Sequence, residues 1–237
     1  MPALAHIAGL LAAALLAAPA DGPPAGEYFE WLRKKVPYYE RMTGIFAPMY
    51  EPLARQMVQD YGLRDGIAID VGGSAGAFSM ELAKKTRMTV YCLDINPWAV
   101  RLCAFLVDRA GLTGRVIPIE GDAQNMPFKD NFADFIFSRG SIPFWSDQVQ
   151  GLRECYRVLK KGGIAYIGHG GFGRLLPPDV RAKIVHWRLT EWVKHRPKGW
   201  HGPGDRLPEL ARQAGIPEGS YRLIKEPQVG WWLEIRK

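Results

Sequence analysis

Cysteine is scarce in this 237-residue chain: Cys92, Cys103 and Cys155 are the three, and none stands in a C-x-x-C pair or at a Cys/His metal spacing. The sequence therefore offers no thiolate metal centre and nothing that demands an oxidising compartment. Cys92 falls in an expected strand and the other two in expected helices, so buried reduced thiols are the expectation. Histidine is scarce too. His186, His195 and His201 share one basic stretch, but no cluster of acidic or thiol ligands accompanies them, and no metal site is expected. There is no internal repeat and no long low-complexity segment. Long apolar runs are missing as well, except for residues 7–18, a run short for a membrane span.

That run dominates a leader over residues 1–25. It is rich in alanine and leucine and leads into Ala18-Pro19-Ala20, which has the form of an export cleavage site, and then into Asp21-Gly22-Pro23-Pro24. Met1 to His6 contain no Lys or Arg, so the basic start of an export signal is lacking. A signal peptide, a short anchor and a dispensable appendage all stay open, and the fold is read without this segment.

What remains is long enough, and apolar enough at 47% hydrophobic residues overall, to bury one sizeable core, as a single domain with a lid or insertion. The formal charge of +7 is uneven. Residues 1–65 carry 6 basic and 7 acidic side chains, residues 66–171 carry 12 and 10, and residues 172–237 carry 13 and 7. A C-terminal basic excess suits an anionic substrate, a nucleic acid, a membrane surface or simply a solvated face.

The chain is organised around residues 66–85, GIAIDVGGSAGAFSMELAKK. A short apolar run containing Asp70 is followed by Gly72, Gly73, Ser74, Ala75 and Gly76, and then by Phe78 and Leu82 at helical spacing. Strand, tight small-residue turn and helix start make a cradle for a nucleotide-type cofactor, with Asp70 able to bond it from the strand end. A second strand over residues 88–93 ends at Asp94, about twenty residues beyond the turn, where an acid bonds ribose hydroxyls. Asn96-Pro97 opens a helix that Gly111 stops. A third strand, residues 115–120, contains Pro118 and belongs at a sheet edge. A fourth, residues 132–137, runs into Ser138-Arg139-Gly140-Ser141. Ser146 is expected to cap the next helix and Gly162-Gly163 to close it. A fifth strand, residues 164–167, opens into Gly168-His169-Gly170-Gly171.

Before the first strand, residues 27–62 are rich in aromatics and broken by Pro37, Gly44, Pro48 and Pro52 into short helices, which either roof the pocket as a lid (residues 26–65) or pack on the sheet. After the fifth strand, an insertion (residues 172–206) holds an amphipathic helix with Val185, Leu189 and Trp192 on one side, then a loop with Lys198, Trp200 and His201. The strands expected over residues 221–225 and 231–236 are too closely joined for a crossover and must be antiparallel. Strands alternating with helices imply a parallel sheet with right-handed crossovers.

On these motifs the chain resembles the class I S-adenosylmethionine-dependent methyltransferases, from about Tyr38 to the C-terminus and most closely over residues 66–171. DVGGSAG is similar to the family's first motif, LDIN to its ribose-binding acid motif, GDAQNMPF to its adenine-reading loop, and RECYRVLKKGG to its late helix–glycine–strand signature. The resemblance implies a Rossmann-like α/β fold with a seven-stranded sheet in the order 3-2-1-4-5-7-6, its last strand antiparallel, and helices on both faces over residues 66–237. It implies S-adenosyl-L-methionine as cofactor, held by Asp70, Gly72, Gly73, Ser74, Gly76, Asp94, Ile95, Asp122, Ala123 and Ser138, with Asp122 facing the exocyclic amine of adenine. Ser74 stands where the family has its middle glycine. The Asn/Asp-Pro-Pro-Tyr/Phe motif of base-amino methylation is absent, which disfavours that route.

Methyl transfer from a sulfonium needs alignment and exclusion of water more than a catalytic side chain. Ser138, Arg139 and His169, at the expected strand ends, are the candidates for substrate contact or proton transfer. The lid and the insertion should form the acceptor pocket, with Trp187, Trp192 and Trp200 for apolar contact and Arg188, Lys194, Arg196 and Lys198 for charge. The acceptor expected is a small or lipid-like molecule with an acidic group, and no stacking motif supports a nucleic acid. Two other readings stand beside it: a nicotinamide-linked oxidoreductase, and a non-catalytic module that keeps the cofactor. Because the inferred cofactor is made and held in the cytoplasm, a cytoplasmic domain is expected, with weak membrane association through the leader as the variant. Removing residues 1–25 should leave cofactor affinity within twofold in calorimetry, since every pocket residue lies downstream; a larger loss would mean that the leader packs on the domain.

Overall fold

The structure is a computed structural model that describes residues 22–24, 26–195, 204–226 and 230–237. The leader's apolar run and its Ala18-Pro19-Ala20 lie outside the described residues, as do Arg196, Lys198, Trp200 and His201. Among the described residues no helix is long and apolar enough to cross a membrane.

Three helices precede the sheet: α1 (Tyr28–Lys35), α2 (Tyr39–Thr43) and α3 (Ala47–Tyr61). Pro48 sits in the first turn of α3, where the missing N–H costs nothing. Pro52, expected to break the segment, lies inside α3 instead. Burial of Met49, Leu53, Ala54 and Met57 along the helix outweighs the one hydrogen bond that the ring removes.

Seven strands follow: β1 (Ile67–Val71), β2 (Thr89–Asp94), β3 (Val116–Glu120), β4 (Ala133–Arg139), β5 (Leu159–Gly168), β6 (Tyr221–Glu226) and β7 (Gly230–Arg236). They form one sheet in the order β3-β2-β1-β4-β5-β7-β6. The first five are parallel, and β7 runs antiparallel to both β5 and β6. Pro118 is on the edge strand β3, where its lack of a donor is harmless.

Both faces of the sheet are covered, which is why β4 carries the consecutive apolar residues Phe135, Ile136 and Phe137. Phe135 and Phe137 face α3, α4 (Ala77–Lys85) and α5 (Pro97–Arg109), in a core with Leu53, Met57, Phe78, Leu82 and Trp232. Ile136 faces α6 (Gln148–Val158) and α8 (Leu207–Gln213), in a core with Ile69, Ile167, Leu152, Leu210 and Leu233. Helix α1 packs on α5 through Tyr28, Leu32, Ala99 and Leu102.

Further local expectations are corrected. The cap of α6 is Asp147, whose side chain accepts from the Gln150 N–H at 2.9 Å, while Ser146 Oγ bonds Gln124 Oε1. Helix α6 ends at Val158 because Leu159 is already extended, so Gly162-Gly163 lies within β5. The reason for a glycine there is an irregular register against β4: a Cβ on Gly163 would sit 2.9 Å from the Lys160 carbonyl oxygen and 3.1 Å from that of Asp134.

The inserted helix α7 (Pro178–Trp187) does not run on regularly to His195; it passes through one π-helical turn, Arg188–Trp192, into Val193–His195. A wider turn shifts the phase of the side chains. Leu189 is thereby 70% exposed instead of sharing a face with Val185, and Ile184 carries the packing against Met49, Phe172 and Leu176.

The N-terminal helices are tied to the far end of the chain by one buried acid. Glu234 of β7 is 2% exposed and accepts from Tyr61 Oη at 2.8 Å and from Arg222 and Arg236 at 2.8–3.0 Å. Tyr61→Phe removes one charge-assisted bond and should lower the unfolding free energy by about 1.5 kcal/mol in denaturant titration.

Candidate active site: one cavity with an acidic and a cationic end

The carboxyl ends of β1, β2, β4 and β5 open into a cavity of about 460 Å³, a size suited to a small-molecule ligand. Two turns make its floor. After β1 the chain bends over the end of β2, with the Gly72 and Gly73 N–H groups both donating to Leu93 O, at 2.8 and 3.1 Å. The Asp94 carboxylate then joins this turn to the next: Oδ2 accepts from Ser74 N at 2.8 Å and Oδ1 from Asn96 N at 2.9 Å. Asn96 in turn caps α5 by accepting from Trp98 N.

The glycines of the first turn answer to the protein itself. A Cβ on Gly72 would lie 2.3 Å from Ser141 Cβ, one on Gly73 2.6 Å from Cys92 Sγ, and one on Gly76 2.5 Å from Cys103 Sγ. All three cysteines are free and buried. Ser74 takes a left-handed backbone at φ +50, which costs an L-residue about 1–2 kcal/mol.

Asp70, Gly72, Gly73, Ser74, Asp94, Ile95, Asp122 and Ala123 all line the cavity. Asp70 is 4% exposed and accepts from Ser79 Oγ at 2.7 Å. Burial, opposed by that bond and reinforced by the nearby Asp94, pushes its carboxyl up to about 7. Burial raises Asp94 as well, against its three backbone donors. Two expected cofactor residues stand back from the wall. Gly76 starts α4 behind it, and Ser138 is fully buried, its Oγ 2.6 Å from that of Ser141. Ser141 lines the cavity in its place and bonds Val71 O.

The loop carrying Asp122 is fixed from below. Glu154, 7% exposed on α6, accepts from Met126 N at 2.8 Å and from both Nε and Nη2 of Arg157; Arg157 also donates to Phe128 O and Met126 O. This is what Glu154 and Arg157 of the late motif do, and no spacing rule in the sequence announces it.

The opposite end is built by α2, the start of α3, the β4 and β5 ends and the insertion. It is lined by Arg41, Phe46, Tyr50, Arg139, His169, Trp187, Arg188 and Trp192. Arg139 lies with its guanidinium 5.1 Å from the Phe46 ring and 6.0 Å from Phe172, its Nε donating to Gly171 O at 2.8 Å. Arg188 is 5.4 Å from Phe172, and Arg41 is 4.9 Å from Tyr38 and 5.4 Å from Trp192. Burial pulls Arg139 down to about 10, with Arg188 acting in the same sense. Burial, then Arg188 and Arg139, pulls His169 down to about 4, so the imidazole is neutral at pH 7. Lys194, expected in the pocket, instead pairs with Glu191 at the surface. Tyr50 and Arg41 were not singled out by sequence as site residues; only the folding of α2 and α3 over the strand ends brings them in.

An open, doubly wound α/β sheet with its cavity at the strand ends and an acid closing β2 defines a nucleotide-cofactor enzyme class. Comparison with known proteins narrows it. Residues 69–167 match the family described as methyltransferase domain. A crystal structure from Methanococcus maripaludis, described as an S-adenosyl-L-methionine-dependent methyltransferase, superposes with a TM-score of 0.72 at 33% identity, covering 84% of this chain and 89% of that one. The chain belongs to the class I S-adenosylmethionine-dependent methyltransferases, the family for which S-adenosylmethionine is the defining cofactor.

Among curated relatives, the chain is 37% identical over 107 residues to the chloroplastic 2-methyl-6-phytyl-1,4-hydroquinone methyltransferase of Spinacia oleracea, covering 45% of this chain and 30% of that protein. It is 28% identical to the erythromycin 3''-O-methyltransferase of Saccharopolyspora erythraea, covering 77% of this chain and 62% of that protein. The chain thus spans less than two thirds of the length of these curated relatives. The nicotinamide alternative finds no support among these matches.

Two measurements follow from the site. Ser74→Gly relieves the left-handed strain but adds unfolded-state entropy of about 0.5–1 kcal/mol, leaving a net gain of about 0.5–1 kcal/mol in unfolding free energy. For His169, a lowered folded pKa means that the unfolded chain takes up a proton near 6.5 and the folded chain only near 4, so this group erodes stability as pH falls through that window. Asp70, raised to about 7, acts in the opposite sense over the same window, because there the folded chain holds the extra proton. Melting midpoints therefore mix the two, and side-chain NMR is the direct readout: the His169 ring should remain neutral at pH 5.5.

Proposed function

We propose that this chain binds S-adenosylmethionine at the acidic end of the cavity and transfers its methyl group to a small, lipid-like acceptor, one bearing an anionic group, lodged at the cationic end. The observation that carries this reading is the division of charge within one cavity. Asp70, Asp94 and Asp122 line one end, and Arg41, Arg139 and Arg188 line the other. A ligand with an ammonium group, a sulfonium, ribose hydroxyls and an exocyclic amine suits three carboxylates. The pyrophosphate of a dinucleotide would face the same three acids, which argues against a nicotinamide cofactor there.

The roles follow from position. Asp94, already oriented by two backbone N–H groups, is placed for the ribose hydroxyls, and Asp122 for the adenine amine. Asp70, kept near the base of the turn by Ser79, faces the amino-acid portion. When bound, the cofactor supplies an electrophilic methyl on a positively charged sulfur. The chain then aligns the acceptor atom and excludes water, for which the rings of Tyr38, Phe46, Tyr50, Trp187 and Trp192 line the cavity. Where the acceptor carries a proton on the attacking atom, His169, neutral and lining the acceptor end of the cavity, is a group placed to take it. Relatives that methylate a prenylated hydroquinone and a macrolide support a small, largely apolar acceptor. A cytoplasmic site of action fits where the cofactor is kept.

Calorimetry against S-adenosylmethionine, S-adenosylhomocysteine and NAD tests the cofactor. Binding of the first two without the third is expected, and Asp94→Ala should weaken it by about tenfold or more, the worth of a charge-assisted bond. Incubation with a lipid extract and labelled cofactor tests turnover. Tight cofactor binding with no labelled product from any fraction would favour a non-catalytic module instead.

A further inference from the structure

We propose that Arg139 and Arg188 form an oxyanion subsite that anchors a carboxylate or phosphate monoester of the acceptor, whose apolar body lies against the aromatic wall of Phe46, Trp187 and Trp192. This deepens the acceptor reading above and rests on it. The first ground is that neither guanidinium has a carboxylate partner among the described residues. Arg139 uses Nε on Gly171 O, and Arg188 reaches only Gly170 O, at 3.5 Å. Elsewhere the chain pairs its arginines freely: Arg33, Arg157, Arg212 and Arg222 all hold acids. A half-buried guanidinium without an anion is costly, and Arg188 stands close enough to Arg139 to disfavour its charge further. An arriving oxyanion removes that penalty for both at once.

The second ground is shape. Phe46 and Phe172 both lie against the Arg139 guanidinium, and Phe172 also lies against Arg188, so the two forks are held at one patch of wall, with both Nη atoms of Arg139 and Nη2 of Arg188 left for a ligand. A planar fork matches a carboxylate or a phosphate edge. From there an apolar path leads outward: Phe46 meets Trp187 edge-on at 5.3 Å, Trp187 stacks with Trp192 at 6.5 Å, and Tyr38 and Phe144 stand exposed near the rim. The third ground is the position of competing charge. The acids that line the cavity are at the cofactor end, and Tyr50 stands between, sensing both Arg139 and Asp70. An amphipathic acid therefore has one favourable orientation.

The test uses the full chain saturated with S-adenosylhomocysteine and three probes of equal chain length: octanoate, octyl phosphate and octanol, followed by calorimetry. Octanoate or octyl phosphate should bind at least about tenfold tighter than octanol, and the preference between the two tells carboxylate from phosphate. Arg188→Gln should abolish that advantage, and Arg188→Lys should keep part of it, with far-UV dichroism checking that each variant is folded. Equal binding of octanol and both anions overturns the subsite, as does an unchanged anion preference in a folded Arg188→Gln. Failure of S-adenosylhomocysteine itself to bind, with octanoate still preferred, would refute the cofactor reading and leave the subsite standing.

Discussion

The Asp94 carboxylate is the contact on which the cavity floor depends. It sits at the end of β2 and holds two turns from different crossovers, one through Ser74 N and one through Asn96 N. Burial makes a carboxylate expensive, and the surrounding N–H groups are what keep it tolerable there. Because β1 and β2 pair in parallel with Val71 opposite Leu93, their ends open side by side, and the chain must turn sharply at both. Glycine at positions 72, 73 and 76 makes room for Ser141, Cys92 and Cys103 beneath the turn, so the floor is packed from below while its polar groups face the cavity. Ser74 then adopts a strained backbone that its bond to Asp94 helps to hold.

The walls are fixed with equal care but by different means. The Asp122 loop has little regular structure, and its position comes from Glu154 and Arg157 below it, which together satisfy backbone groups of Met126 and Phe128. The opposite wall is tied to the loop after β5, where Arg139 Nε donates to Gly171 O and Arg188 Nη1 to Gly170 O. It is held by rings and cations: Phe46, Phe172, Trp187 and Trp192 with Arg41, Arg139 and Arg188. Contacts of that kind are strong when desolvated and adapt in geometry, which suits a surface that receives acceptors, whereas directional hydrogen bonds suit the side that holds a fixed cofactor.

Charge is therefore sorted along the cavity. Carboxylates gather where parallel strands end in turns, and guanidiniums gather where the insertion and α2 close over β4 and β5. Each group adds to burial in shifting its neighbours: Arg188 and Arg139 lower His169 further, and Asp94 adds to the raised Asp70. The neutral imidazole beside two cations and the carboxyl that titrates near neutrality are both consequences of this sorting and of burial.

The sequence by itself determined a parallel sheet with right-handed crossovers, because strands alternate with helices along it, and its order came from the resemblance of its motifs to the methyltransferase family. The edge position of β3 followed from Pro118 alone, and the antiparallel last pair from the brevity of its connection. Asp94 was legible from its distance to the turn and Asp70 from its place at the strand end, whereas Asp122 came from the resemblance of its loop to the family's adenine-reading motif. Tertiary structure decided what spacing does not encode. Pro52 stays inside α3 because packing outweighs one lost hydrogen bond. Gly163 serves an irregular strand register instead of a helix stop, and a π-turn moves Leu189 outward. Ser138 withdraws behind Ser141, while Arg41 and Tyr50 arrive from before the first strand. Local pattern reports which face of one element is apolar; which side chains from distant elements meet across a cavity depends on how those elements pack, and that is settled only when the whole chain has closed.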